Sequence, residues 1–416
     1  MTTTSPHTPP ALDPRRWPDV ARVPAARLRA PFARALTRRA AARTGIRVHT
    51  GLSTPAEEVP DPVLWLRDPE AFHRRLGAGG LIGLGESYMA GEWDSPDLVA
   101  LLTRLARDYG NLVPRPLQPL RRLTLPRRPA SERNTRAGAR RHISHHYDLS
   151  NDLFALFLDR TMTYSAALFM ENGPRDRESL ARAQERKIDR LLDGAGVTGG
   201  TELLEIGTGW GELAVRAARR GARVTTVTLS SEQRDLAAER VAAAGLTGRV
   251  EVLLCDYRDV TGSYDAVVSV EMIEAVGEHY WPVYFAALDR LVRPGGRVGL
   301  QSITMDHAMM RASRGSYTWI HKYIFPGGLI PSVRAVEERL RAGTSLTITD
   351  RLAFGPHYAD TLRVWRGSFT EAKERVRELG FDDTFVRMWF FYLAYCEAGF
   401  RSGVLDVEQI IMEKSR

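Results

Sequence analysis

The stretch LLEIGTGWGELAVRAARRGARVTTVTLS, Leu203 to Ser230, decides the fold. Leu203, Leu204 and Ile206 form a short apolar run, Gly207, Gly209 and Gly211 crowd the next five positions, and Glu212 to Arg220 carry a helical pattern stopped by Gly221. Gly is favoured just past a helix end, where the backbone turns left-handed. Val224 to Leu229 then read as a second strand. The unit is strand, glycine turn, helix, strand. Its glycines allow the backbone to turn sharply and come close to a ligand at the helix N-terminus.

Two cofactor classes compete for such a loop. A dinucleotide site has the spacing G-x-G-x-x-G and an acidic residue about 20 positions later for the ribose hydroxyls. Here the spacing is G-x-G-x-G, and the second strand ends in Thr228, Leu229 and Ser230. S-adenosylmethionine has no pyrophosphate to cradle and needs close backbone approach to its amino-acid part. The loop therefore favours methyl transfer over hydride transfer, without excluding the latter.

From His146 onward strand and helix patterns alternate, with strands read at 202–206, 224–229, 249–255, 265–270, 295–303, 344–350 and 405–412. Seven strands with intervening helices predict an α/β doubly wound sheet, which binds ligands at the carboxyl ends of its strands. Asp256 and Tyr257 follow the third strand, and VEMIEAVGEHYW places Glu274 after the fourth. A carboxylate in that position can also be a helix cap.

The chain of 416 residues carries a formal charge of +8. Its pI near 9.6 suggests an anionic partner, either nucleic acid or a lipid surface. Much of this charge sits in PRPLQPLRRLTLPRRPASERNTRAGARR, residues 114–141, with nine arginines, five prolines and one glutamate. That composition fits a solvated linker as well as an electrostatic arm. Cys255 and Cys396, the only two cysteines, suggest neither a disulfide framework nor a metal site. No apolar run reaches the roughly 18 residues that span a bilayer, so membrane contact is expected to be peripheral. Residues 31–43, PFARALTRRAAAR, read as an amphipathic helix with Phe32, Leu36 and Ala40 on one face, packed on its own domain or lying on a membrane. The glycines of GLIGLGESYMAGEWDS, residues 80–95, read as tight turns. In the run at 385–395, Met388, Phe391, Tyr392 and Tyr395 fall at helical spacing, which suits core packing or the lining of an acyl tunnel.

Five stretches in order, HHYDLSNDLFALFLDRTMTYSAALF, LLEIGTGWGELA, VTLSSEQ, EMIEAVGEHYWPVYF and WIHKYIFPGGLIPS, resemble the cyclopropane-fatty-acyl-phospholipid synthases, relatives of the mycolic acid cyclopropane synthases. The likeness covers roughly residues 33 to 413. It includes GLIGLGESYMAGEWDSPDL near the N-terminus and HYADTLRVWRGSF and WFFYLAYCEAGFRSGVLDVEQII near the C-terminus. The YSAALF and KYIFPGG elements are more specific to that family than the glycine loop.

The resemblance implies a class I methyltransferase (Rossmann-like) with a seven-stranded doubly wound sheet and a smaller N-terminal domain. It divides the chain into a disordered tail (1–30), a small lipid-associated domain (31–110), an Arg/Pro-rich linker (111–142) and a methyltransferase domain with an acyl-chain pocket (143–416). It implies transfer of the S-adenosylmethionine methyl group to the double bond of an unsaturated phospholipid acyl chain, leaving a carbocation from which a bound bicarbonate removes a proton to close a cyclopropane ring. Carried over by position, Tyr164, Ser165, Gly207, Gly209, Gly211, Thr228, Gln233, Asp256 and Tyr257 correspond to cofactor contacts. Glu274, Ile303 and Tyr323 correspond to the bicarbonate site, and His146 and Tyr147 to an element near the substrate entrance.

Two positions depart from the family pattern. Ala166 stands where many members have Cys, keeping the backbone N–H, and Gln301 stands where many have His, hydrogen-bonding without titrating. Ring formation is the leading expectation. A different proton loss would leave a methylene, the precursor of a methyl branch, and would call for a reductase partner. A basic nucleic-acid-binding methyltransferase is the alternative of another class, although no RNA-reading motif is evident. No metal and no nucleic-acid partner are expected. The resemblance suggests a cytoplasmic protein held peripherally at the anionic inner face of the cell membrane, and a homodimer is compatible with it.

Overall fold

The computed structural model describes residues 12–51, 62–112, 129 and 150–416. His146, Tyr147 and nearly all of the arginine-rich segment 111–142 lie outside the described residues. The chain divides into two units, one drawn from residues 1–128, 316–324 and 369–404, the other from 129–315, 325–368 and 405–416.

The first unit holds a three-stranded sheet, β1 (Arg47–Thr50), β2 (Val63–Leu66) and β3 (Trp93–Asp94), with β1 parallel and β3 antiparallel to β2. Three of its helices begin on aspartate caps. Asp68 accepts from the Ala71 N–H at the start of Pro69–Gly79, Asp97 from Ala100 before Leu98–Arg107, and Asp382 from Phe385 before Asp383–Arg401. Each cap satisfies one of the otherwise unpaired N–H groups of a first helical turn.

Three local readings are corrected in this unit. The helix Ala30–Thr44 ends at Gly45 (φ 68°) as expected, but it buries Ala33, Thr37 and Thr44 while Phe32 is 56% exposed. Its packed stripe is made of small residues. Gly83 and Gly85 are not turn residues but lie inside the helix Leu81–Met89, where a Cβ on Gly83 would sit 1.9 Å from the Arg75 carbonyl oxygen and one on Gly85 2.3 Å from Trp319. Only a bare backbone permits those approaches. The segment Pro18–Ala21, expected within an unstructured tail, is a short helix whose Val20 is fully buried and whose carbonyls are held by Arg75. The aromatic helix Asp383–Arg401 buries Met388, Phe391 and Tyr392; Phe391 meets Tyr88 at 5.1 Å and Trp319 at 4.8 Å between ring centroids.

The second unit is built on seven strands, β4 (Glu202–Ile206), β5 (Arg223–Thr228), β6 (Val250–Leu254), β7 (Tyr264–Val270), β8 (Val292–Met305), β9 (Leu346–Ala353) and β10 (Leu405–Lys414), in the order β6-β5-β4-β7-β8-β10-β9. Strands β4 to β8 pair in parallel, and β10 is antiparallel to both neighbours. Along β4 the side chains alternate between two cores. Leu204 and Ile206 join Val267, Leu288 and Leu300, whereas Leu203 joins Ala214, Val224 and Ile411. A sheet covered on both faces needs apolar residues in both phases of the pleat, which is why β4 reads as a continuous run. The strand order reverses beside β4, between β5 and β7, so the loops that follow these strands share one crevice.

Candidate functional site

The loop after β4 takes its shape from glycines in the left-handed region, with φ of 98° at Gly207, 52° at Gly209 and 88° at Gly211. Gly207 and Gly211 are hemmed in, since a Cβ there would lie 2.7 Å from Met272 and 3.1 Å from Ala237. Gly209 differs. A Cβ on it would meet nothing within 4 Å, so the loop presents bare backbone to open space. The side chain of Trp210 faces the protein and donates to Asn151 Oδ1 at 2.7 Å, with Phe154 at 4.9 Å between ring centroids.

Thr228, at the end of β5, donates its hydroxyl to Gln233 Oε1 at 2.9 Å, and both residues are buried. After β6, Asp256 is gripped by Arg258, whose Nε and Nη2 donate at 2.8 and 2.5 Å. Tyr257 packs edge-on against Tyr284 at 5.5 Å, and burial pushes its hydroxyl up to about 12. Tyr164 stacks on Trp365 at 5.3 Å, while Ser165 accepts a hydrogen bond from buried Lys187 at 2.6 Å. Burial brings that ammonium down to about 8. Thr226 bridges Thr208 and the buried Glu205 carboxylate at 2.7 Å each, and burial raises Glu205 to about 8.

Beyond β7 lie two glutamates. Glu274 Oε1 accepts from the Ile303 N–H at 2.5 Å and from the Ser302 hydroxyl at 3.0 Å, while its buried Oε2 has no hydrogen-bond partner among the described residues. Burial, and next the charge of Glu271, raise Glu274 to about 8. Glu271 Oε1 accepts from the Ala166 N–H and from Gln301 Nε2, both at 2.9 Å, and its Oε2 accepts from the Tyr358 hydroxyl at 2.8 Å. Burial raises this carboxyl too, opposed chiefly by the positive charge of Lys187. Two neighbouring carboxyls whose proton affinity burial raises, set beside a glycine cradle, can accept a proton.

Ala166, Gln301, Ile303 and Glu274 thus lie together around the ends of β7 and β8. Tyr323 belongs to the first unit, where its hydroxyl donates to Glu86 at 2.8 Å beside Lys322. Sequence reasoning passed over Glu271, Lys187, Tyr358 and Gln409. The one local signal was a second glutamate three positions before Glu274, directly after a predicted strand.

Residues 134–410 match the model of the mycolic acid cyclopropane synthetase family. Tuberculostearic acid methyltransferase UfaA1 of Mycobacterium tuberculosis is 54% identical over 418 residues, covering 98% of each chain. The cyclopropane-fatty-acyl-phospholipid synthase of Escherichia coli K12 is 32% identical over 376 residues, 89% of this chain and 91% of that one. Among solved structures, mycolic acid cyclopropane synthase CmaA1 complexed with SAH and CTAB superposes with a TM-score of 0.61 at 32% identity, covering 66% of this chain and 98% of its own. With a family match that spans most of its length, a sheet in which the parallel strands β4 to β8 adjoin the antiparallel β10, and this structural likeness, the chain belongs to the mycolic acid cyclopropane synthetase family and has the fold of the class I S-adenosylmethionine-dependent methyltransferases.

Proposed function

We propose that this protein transfers the methyl group of S-adenosylmethionine to the double bond of an unsaturated phospholipid acyl chain, and that the product is a methylene or methyl-branched chain. The observation that carries the reading is the 54% identity with a tuberculostearic acid methyltransferase over 98% of both chains, against 32% for the E. coli ring-forming synthase. Tuberculostearic acid is a methyl-branched fatty acid.

The residues present fit the cofactor. A Cβ on Gly209 would enter the space that the backbone of the loop leaves open, and Tyr164, Ser165, Thr228, Gln233, Asp256 and Tyr257 are the proposed contacts around it. S-adenosylmethionine supplies an electrophilic methyl on a sulfonium. An alkene is a weak nucleophile, so the chain must hold the double bond in line and keep water out. Tyr164, backed by Trp365, offers an aromatic face to the cation that methylation leaves. Migration of a neighbouring hydrogen with its electron pair, followed by loss of a proton from the new methyl, gives the methylene, which a separate reductase would convert to a branch. Ring closure with bicarbonate as base is the second reading, favoured by the family match over residues 134–410. The net charge of +8 supports an anionic membrane as the place where the lipid is met.

Incubation with methyl-labelled S-adenosylmethionine and unsaturated phospholipid vesicles, then mass spectrometry of released acyl chains, tests the proposal. Ring and methylene have equal mass. Mild hydrogenation should add two hydrogens to the labelled product, and resistance to it would favour the ring. Label found only in RNA would overturn the function.

A further inference from the structure

We propose that the carboxylate of Glu271 fills the anion site that the resemblance assigns to bicarbonate, and that Glu271 itself takes the proton from the methylated acyl chain. The inference rests on acyl methylation as the reaction and adds the identity of its base.

The donors at the ends of β7 and β8 already have acceptors. Ala166 N–H and Gln301 Nε2 converge on one oxygen of Glu271 at 2.9 Å, and Tyr358 donates to the other at 2.8 Å. The Ile303 N–H donates to Glu274. A bicarbonate held by Ala166 and Gln301 would compete with Glu271 for the same hydrogens and would lie against its negative charge. A carboxylate attached to the chain is present at every turnover, whereas a free anion must be captured from solution.

The backbone supports the same reading. Glu271 is one of three non-glycine residues with positive φ among those described, at 52°. Glycine would hold that conformation without strain, and strained side chains gather at functional sites. The Glu271 N–H donates to the Gln301 carbonyl at 2.7 Å while the Gln301 amide donates back to the Glu271 carboxylate, so main chain and side chain are fixed together. Gln301 has one orientation available for this, because its Oε1 accepts from Gln409 at 3.0 Å. Glu271 is nevertheless only partly buried as a residue. Burial lifts its proton affinity above that of a free carboxyl, and buried Lys187 keeps the ionised form accessible.

The step balances. The alkene π pair forms the new C–C bond, the C–S bond breaks with its electrons going to sulfur, and the acyl chain carries the positive charge. A C–H pair then becomes the new C–C or C=C bond, and the proton passes to a Glu271 oxygen and from there to solvent.

The test uses the full-length chain, the variants Glu271→Gln and Glu271→Gly, and buffer with or without bicarbonate. Wild-type label transfer to unsaturated phospholipid should change less than twofold on bicarbonate removal. Glu271→Gln should lose about 100-fold or more in turnover, the usual scale for removing a general base, with S-adenosylmethionine affinity within about threefold by calorimetry. Glu271→Gly, with the donors released, should be inactive without bicarbonate and regain turnover when it is added. Carbon-13 bicarbonate should show saturable line broadening with Glu271→Gly and none with wild type. Bicarbonate binding to wild type, wild-type turnover that collapses without bicarbonate, or a Glu271→Gln enzyme at wild-type rate would overturn the inference. A wild-type chain that labels no acyl chain would instead overturn the methylation reading, and the line-broadening measurement would still decide what fills the anion site.

Discussion

Gln409 donates one amide hydrogen to Gln301 Oε1 at 3.0 Å and the other to the Lys187 carbonyl at 2.9 Å. Because the Gln301 oxygen is thereby used, its nitrogen is the end that faces Glu271. Strand β10, antiparallel at the far side of β8, thus sets the orientation of a side chain at the candidate site. Gln409 is a positioning residue.

The first prediction follows from that relay. Gln409→Met keeps the volume but lets the Gln301 amide rotate, and it leaves the Lys187 carbonyl without that donor. Stability should fall by about 1–3 kcal/mol, the cost of an unsatisfied buried group. Turnover should fall about tenfold or more while S-adenosylmethionine affinity holds, and Gln301→His, which cannot serve both neighbours in the same geometry, should share the effect. A thermal shift with turnover unchanged would reduce Gln409 to a packing role.

A second prediction concerns the cofactor loop. Valine at Gly209 would have to adopt φ near 52° and would put its branches into the open space beside the loop. A β-branched residue is a genuine outlier there. Calorimetry on Gly209→Val should show no S-adenosylmethionine binding, with the circular dichroism of the fold retained. Wild-type affinity in a folded variant would remove the loop from the cofactor site.

Most of the sheet was legible in the sequence, and the reason is physical. Strands buried on both faces, β4 and β7 above all, are apolar runs bounded by glycine and polar residues, and β4 to β10 were all read close to their observed limits. The helix Ala30–Thr44 was misread because its packed stripe uses Ala33 and Thr37, while a large apolar residue, Phe32, stays exposed. Hydrophobicity marks burial only on average. Glu274 could be found from one motif, but Glu271 could not. Its partners lie 105, 30 and 87 positions away at Ala166, Gln301 and Tyr358, and only the folded sheet brings them together.

The small unit supplies a third prediction. Arg75, 1% exposed, donates to Glu92 at 2.8 Å, to the Asp19 carbonyl at 3.0 Å and to the Val20 carbonyl at 2.6 Å. It ties the helix Pro18–Ala21 to Pro69–Gly79. Arg75→Ala should cost about 3–5 kcal/mol, because the partner carboxylate stays buried without its counter-charge. Burial already holds Glu92 at about 7, so pairing with Glu92→Gln should recover part of the loss. Limited proteolysis should cut near residue 18 in the single variant. Resistance equal to wild type would show that the segment is held by other contacts.

The last prediction is a pH dependence with a fixed sign. Glu205, 3% exposed in β4, is raised by burial from an ordinary value of 4.5 to about 8, with the Thr226 hydroxyl and then Lys187 opposing the shift. Below about pH 4 the carboxyl is protonated in both folded and unfolded chains, and the contribution is fully present. Between that value and about 8 the native state keeps a proton that the unfolded state has released, so unfolding gives up a proton and stability falls as pH rises. Above about 8 both states are ionised and the slope ends. Glu274, also raised to about 8, acts in the same direction and leaves a residual slope. Glu205→Gln preserves the shape and an acceptor for Thr226 but cannot ionise. Scanning calorimetry from about pH 5 to 8 should therefore show the variant gaining on wild type as pH rises, with the flatter Tm curve belonging to the variant. Parallel curves would mean that Glu205 keeps its charge in the folded protein, with Lys187 rather than a proton neutralising it.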